Sequence, residues 1–250
     1  MNYPIYSYPS HAFTGIIRDT ILLRHRVFQE DALACISRLI PPLRVIGKEN
    51  IPANGAYVII PNHYYRPGFN AWWLALAISS VTASNVHWII TGELTYPGKW
   101  YAPLGMFISR FILKRGARVY GFTTMPPMPP RPRDVEARAV SVRVVLDYVR
   151  QTKEPVVGFA PEGGDQIGGR LTMPASGAGR FGLLLSAQDL RFVPVGVYET
   201  DGEFYLHFGE AYELSIPSDL SLDEKDIQAA RIMMEHISVL LPLNLRGEFA

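Results

Sequence analysis

The sequence predicts an α/β fold: a mixed sheet flanked by helices, with an N-terminal helical extension. Three observations carry this. Apolar runs of strand length occur at Tyr57–Ile60, Val86–Ile90, Val156–Phe159 and Phe192–Tyr198. The stretches between them place apolar residues at helical spacing. Strands that alternate with helices build a sheet covered on its faces.

Residues 12–40 read as one amphipathic helix, with Phe13, Ile16, Ile17, Ile21, Val27 and Phe28 near helical spacing and Arg18, Arg24 and Arg26 between them. It ends at Pro41-Pro42 and suits either a membrane surface or the cover of the domain's own core. The chain therefore divides into an extension, residues 1–44, and an α/β domain, residues 45–250. The turn signal Asn54-Gly55 precedes the first strand, Tyr57–Ile60. A helix over about Ala71–Ser80, a strand over Val86–Ile90, an apolar helix over Trp100–Leu113 and a strand over Arg118–Phe122 follow. Residues 123–134 contain five prolines, which exclude a helix or inner strand and predict a stiff surface loop or flap. A helix over 135–150 has Val135, Ala139, Val142, Leu146 and Val149 on one face. Val156–Phe159, Phe192–Tyr198 and Phe204–Phe208 complete the strands. Pro194, inside an apolar run, marks an edge strand or a bulge. Ser221 with Glu224 forms a capping box for the last helix, whose stripe is Ile227, Ala230, Met234, Ile237 and Leu241.

Hydrophobic residues make up 48% of the chain and charged residues 19%, which argues against disorder. A single cysteine, Cys35, excludes an intrachain disulfide and suits a reducing cytosol. The first residues lack a basic region followed by an apolar one, and no apolar run is long enough to span a bilayer. Beneath a net charge of +1, residues 51–133 carry eight Lys or Arg against one acid, and residues 201–250 carry three against ten. The basic middle suits anionic partners such as phosphates, CoA or an acidic membrane surface, or a plain solvated face.

Asn62-His63 follows the strand Tyr57–Ile60, at the end where α/β sheets place their sites. A neutral imidazole there can take a proton from a hydroxyl near neutral pH, although a lone histidine suits a structural role as well. Val156 to Asp165 runs a strand into Pro161-Glu162-Gly163-Gly164, where glycines let backbone N–H groups approach an anion, or simply make a turn. Gly163 to Arg170 lacks the Gly-Lys-Ser/Thr of a nucleotide-binding loop. His11, His25, His87, His207 and His236 show no metal-ligand spacing and are expected on the surface or in the core. Trp72, Trp73, Trp100 and Tyr101 suit core packing, or an acyl tunnel or lipid contact.

In order and spacing these pieces resemble the lysophospholipid acyltransferases, the family of the 1-acylglycerol-3-phosphate acyltransferases, over roughly residues 43–200. Asn62-His63 resembles the start of the family's first motif, Asn-His, four residues, Asp. Phe159 to Gly163 resembles the third, Phe-Pro-Glu-Gly, with one extra alanine. LTMPASGAG, residues 171–179, resembles the stretch after it, and Val193-Pro194-Val195 the fourth. The resemblance implies a glycerolipid acyltransferase-like fold. It implies that His63 is a general base toward an acceptor that attacks the thioester of acyl-CoA or acyl-carrier protein, with an aspartate on the other ring nitrogen.

Three departures stand against the motifs. Position 68, five after His63, is glycine; with a two-residue insertion Asn70 takes the aspartate's place. Phe122, in GARVYGF, stands where the second motif has arginine. The third motif continues Gly164-Asp165 instead of Thr-Arg. Those arginines handle phosphate in the family, so a glycerol-phosphate acceptor is not expected; Arg66, Arg118, Arg170 and Arg180 are the nearby substitutes. The expected catalytic residues are His63 and Asn70, with Glu162 or Asp165 as alternative partners of the ring. The expected substrate-binding residues are Asn62, Arg66, Arg118, Glu162, Gly163, Gly164 and Asp165. The expected activity is acyl transfer to a lipid-like hydroxyl or amine, without metal, cofactor or nucleic acid, on the cytoplasmic face of a membrane. The rivals are an impaired relative that binds lipid or acyl chains at the membrane, and a thioesterase-like hydrolase. A carboxylate or amide within hydrogen-bond reach of His63 Nδ1 discriminates between them.

Overall fold

A computed structural model describes residues 3–96, 98–128 and 131–250, without the side chain of Ile167. Seven strands form one mixed sheet in the order β1-β7-β6-β2-β5-β3-β4. These are β1 (Arg44–Ile46), β2 (Tyr57–Pro61), β3 (His87–Thr91), β4 (Thr123–Met125), β5 (Val156–Gly158), β6 (Arg191–Thr200) and β7 (Glu203–Phe208). β2 to β6 run parallel, whereas β7 is antiparallel to β6 and parallel to β1. The carboxyl ends of the five parallel strands therefore share one edge, where His63, Glu93, Pro126 and Glu162 follow their strands. β2 is buried at every residue, as expected of an unbroken apolar strand covered on both faces.

The helices are α1 (Ser10–Leu22), α2 (Phe28–Ile36), α3 (Trp72–Val81), α4 (Ala102–Tyr120), α5 (Val135–Gln151), α6 (Ala178–Ser186) and α7 (Leu222–Ser238). The helix expected over residues 12–40 is two helices. Leu23 is left-handed, with φ 54°, and the chain turns back. The Arg26 guanidinium then bonds Asp19 Oδ2 at 2.6 Å and Asp31 Oδ1 at 2.5 Å, so it bridges the two helices. Tyr120 of α4 donates to the same Asp31 at 2.8 Å. α2 buries Phe28, Ala32 and Cys35 against α3, whose Trp73 to Ser79 are buried.

Arg118–Phe122, expected as a strand, is instead the last turn of α4 and its stop. Gly121, left-handed at φ 69°, donates its N–H to Ala117 and Arg118 carbonyls. The strand comes later, at β4, inside the expected flap, because the prolines start only at Pro126 and Thr123–Met125 pairs with β3 at the sheet edge. Pro129 and Pro130 of that flap lie outside the described residues. On α5 the buried side falls at Val145 and Val149, while Val135 and Ala139 are exposed.

Pro194 lies on a central strand, not an edge. Its carbonyl accepts from Gly209, just past β7, and Phe192 pairs next with Tyr212. One extra residue thus enters on the β7 side, and the missing donor falls where that ladder is already interrupted. The capping box on α7 is formed, with Ser221 N–H to Glu224 Oε2 at 2.9 Å and Glu224 N–H to Ser221 Oγ at 3.3 Å. Ile227 is exposed; Asp226, Ala229 and Met233 join Ala230, Met234 and Ile237 on the buried side.

Candidate active site

The edge formed by the carboxyl ends of β2 and β5 gathers the first and third motifs. Asn62 is buried and joins β6 through both ends of its amide: Nδ2 donates to the Val197 carbonyl at 2.9 Å, and Oδ1 accepts from Val197 N–H at 2.6 Å. An asparagine suits this position because it mimics a peptide group and extends the β2–β6 pairing by one rung. His63 comes next. Its backbone N–H donates to Glu162 Oε2 at 2.7 Å. Burial, only partly offset by N–H donors from His63 and Thr172, pushes the Glu162 carboxyl up to about 7.

The partner of the His63 ring is Asp165. Its Oδ1 lies 3.2 Å from Nδ1, close enough to pair with a protonated ring but not hydrogen-bonded to it. Nδ1 itself is buried, while the Asp165 side chain is 56% exposed. The carboxylate thus stands beside the ring while keeping most of its contact with water. Gly163 makes the turn possible: its φ is +71°, and a Cβ there would stand 2.5 Å from Met128 Cγ of the proline-rich segment. Beside it, Gly169 packs against the Tyr65 carbonyl, where a Cβ would come to 2.5 Å. The 163–169 loop and the loop after β2 thus lie side by side.

Three expected site residues are placed otherwise. Asn70 does not orient the ring; it is exposed and its Oδ1 accepts from Trp72 N–H at 3.0 Å, capping the start of α3. Arg66 is not free for a substrate phosphate. Its Nη2 lies 2.9 Å from Glu199 Oε1 and its Nε bonds Oε2. Arg118 is exposed at the lower end of α4, which runs down toward the start of β4 and so away from the carboxyl edge. Phe122 likewise sits below β4 in an aromatic cluster with Phe28, Trp72 and Tyr120. Arg180 is engaged by Asp223 at 2.5 Å, whereas Arg170 is exposed beside the 163–169 loop. A Cβ at Gly164 would meet nothing within 4 Å.

Two further acids matter that no local signal revealed. Glu199, at the end of β6, holds Arg66 and Tyr64. Asp226, on α7, accepts from the Gly177 N–H at 2.7 Å and the Arg180 N–H at 2.8 Å, capping α6 from another helix. The stretch after the third motif is thus a helix start secured from α7. His87 and His236 serve packing. His87 bonds Thr123 Oγ1 at 2.8 Å and stacks on Tyr148, and burial pushes it down to about 4. His236 stacks on Tyr212 at 3.7 Å. Trp73 is buried against Tyr6 and Tyr8, and Trp100 is 93% exposed. Among the described residues no group of three or more His, Cys, Asp or Glu is arranged to hold a metal ion.

A protein-family model described as Acyltransferase matches residues 42–198, which is more than half of the chain. The chain belongs to the acyltransferase family. The acyltransferase fold extends beyond the matched segment. The crystal structure of the 1-acyl-sn-glycerophosphate (LPA) acyltransferase PlsC from Thermotoga maritima superposes with a TM-score of 0.51 and 13% identity, covering 91% of this chain and 87% of that one. At that identity the likeness speaks for the fold, and the mixed sheet flanked by helices is shared. No curated protein matches the acyltransferase. The match spans both loops that build the site, from Asn62-His63 to Asp165, and ends at Tyr198, next to Glu199.

Proposed function

We propose that this acyltransferase moves a fatty acyl group from acyl-CoA or acyl-carrier protein to a hydroxyl or amine of a lipid, with His63 as general base. The observation that carries the reading is the carboxylate of Asp165 at 3.2 Å from His63 Nδ1. Nε2 has no protein partner among the described residues and is left for the acceptor. His63 takes the acceptor's proton as its oxygen or nitrogen attacks the thioester carbonyl, and Asp165 stabilises the imidazolium. On collapse of the tetrahedral intermediate the C–S bond breaks and the proton passes to the leaving thiolate. The Gly164 backbone, in the glycine turn of the loop that faces His63, is the proposed donor to the oxyanion. Asp165 stands in for the aspartate missing at position 68, so the sequence departure does not by itself imply an impaired relative. The test is a screen of labelled acyl-CoA and acyl-carrier protein against lysolipids and amino lipids, in wild type and His63→Ala. Transfer that persists in the variant overturns the assignment.

Membrane contact is part of the same proposal. α1 and α4 pack together, tied by Arg115 Nε on the Thr20 carbonyl at 3.0 Å. Their outer faces expose Ile17, Ile21, Leu104, Phe107, Phe111 and Ile112. Lys114 is exposed three residues from Phe111 on the same helix, so the apolar face has a basic neighbour that suits an anionic lipid surface. No helix among the described residues is long and apolar enough to cross a membrane.

A further inference from the structure

The chain beyond β2 splits its side chains between two neighbours. Asn62, Tyr64 and Arg66 turn to β6, whereas His63 turns to the loop of Glu162 and Asp165. The β6 anchors are two residues apart: the Val197 backbone takes Asn62, and the Glu199 carboxylate takes Tyr64 Oη at 3.1 Å and the Arg66 fork. The Glu199 side chain is 2% exposed. A third donor reaches it from the start of the chain, Tyr6 Oη to Oε1 at 2.5 Å, and the Tyr3 ring lies 3.9 Å from the Arg66 guanidinium carbon. The carboxylate is thus fully bonded and charge-compensated, as a buried acid must be. Residues 63–66 have no regular secondary structure, so their position depends on side-chain bonds: Glu162 on the His63 N–H at one side, and Glu199 on Tyr64 and Arg66 at the other.

We propose that Glu199 is a positioning residue for acyl transfer: through Tyr64 and Arg66 it fixes the loop that carries His63, and so sets the ring against Asp165. The proposal rests on His63 being the general base. Glu199 acts only through its partners, so its loss should move the ring without removing any reacting group. A displacement of about 1 Å at a catalytic group can lower turnover by about 100-fold.

The test uses the full chain and two readouts, kinetics and amide hydrogen exchange of the peptides covering residues 62–66 and 163–170. In Glu199→Gln, exchange in 62–66 should accelerate while 163–170 stays as in wild type. The kcat should fall about 10- to 100-fold with the KM for the acyl donor changed less than about threefold. Tyr64→Phe removes one bond and leaves the Glu199–Arg66 pair intact. It should shift both readouts in the same direction, by less, at a near-normal Tm, and it decides the matter if Glu199→Gln does not fold. Unchanged exchange in 62–66, or a folded variant with kcat within about twofold of wild type, overturns the proposal. If wild type transfers no acyl group to any acceptor, the proposed function has failed, and the exchange of 62–66 alone still decides whether Glu199 holds the loop.

Discussion

Asp165 Oδ1 approaches His63 Nδ1 to 3.2 Å from a loop of another motif, while Glu162 of that loop holds the His63 backbone N–H at 2.7 Å. One loop therefore holds the backbone of the proposed base and places a carboxylate beside its ring. His63→Ala should lower kcat by at least about 100-fold, the scale of general-base loss. Asp165→Asn should cost about 10- to 100-fold, since an amide keeps the contact but cannot offset the imidazolium charge. Asn70→Ala should stay within about threefold. Steady-state kinetics of the three variants check the order; a larger loss in Asn70→Ala than in Asp165→Asn contradicts the pairing.

Glu162 links stability to pH. Burial raises its carboxyl from the ordinary 4.5 to about 7, so the folded state keeps a proton that the unfolded chain has lost. Stability from this group is present below about pH 4.5 and falls as pH rises through about 7, by on the order of 3 kcal/mol in total. Glu162→Gln should remove that part of the slope. Urea midpoints for both proteins at pH 5, 6, 7 and 8 check it, and parallel curves count against the assignment.

Asp226 secures the start of α6 through two backbone N–H groups and the Ser176 hydroxyl at 3.1 Å. Asp226→Ala leaves those donors unpaired in a largely buried place. Unfolding in urea should show a loss of about 1–3 kcal/mol at an unchanged m-value. A midpoint equal to wild type would show that water replaces the carboxylate freely.

The acceptor follows from where the arginines lie. Arg66 is bonded to Glu199, Arg180 to Asp223, and Arg118 lies away from the carboxyl edge, so among the described residues Arg170 is the one of the four left unengaged near the site. A phosphomonoester is normally gripped by guanidinium forks, and Asp165 would repel it. The expected kcat/KM is higher for a neutral or amine-bearing acceptor than for lysophosphatidic acid. If lysophosphatidic acid wins, Arg170→Ala should abolish the preference.

The exposed face of α1 and α4 should bind anionic vesicles, more weakly as salt rises. Phe107 and Phe111 are 69% and 55% exposed. Phe107→Glu with Phe111→Glu should weaken binding by at least about 10-fold, given roughly 1.5–3 kcal/mol for each buried phenylalanine. Cosedimentation measures it, and wild type that stays in the supernatant at low salt refutes the idea.

The sequence alone determined the parts of the molecule written in short-range pattern. Apolar runs fixed β2, β3, β5, β6 and β7 to within a few residues, and Ser221 with Glu224 marked the start of α7, because each signal lies within one element. Asn62-His63 and Glu162 were legible for the same reason, as residues at the carboxyl ends of recognisable strands. Where two local signals competed, the tertiary structure decided. Val119 and Tyr120 suit a strand by composition, but burial against α2 keeps them in α4. Residues 12–40 suit one helix by spacing, yet Arg26 pairs with Asp19 and Asp31 only once the chain folds back at Leu23. The same holds at the site. Whether Asn70 or Asp165 meets the ring, and whether Arg66 faces a substrate or Glu199, depends on loops brought together across 99 to 135 residues of chain. No periodicity reports such pairings, because they arise from the packing of β2 between β5 and β6.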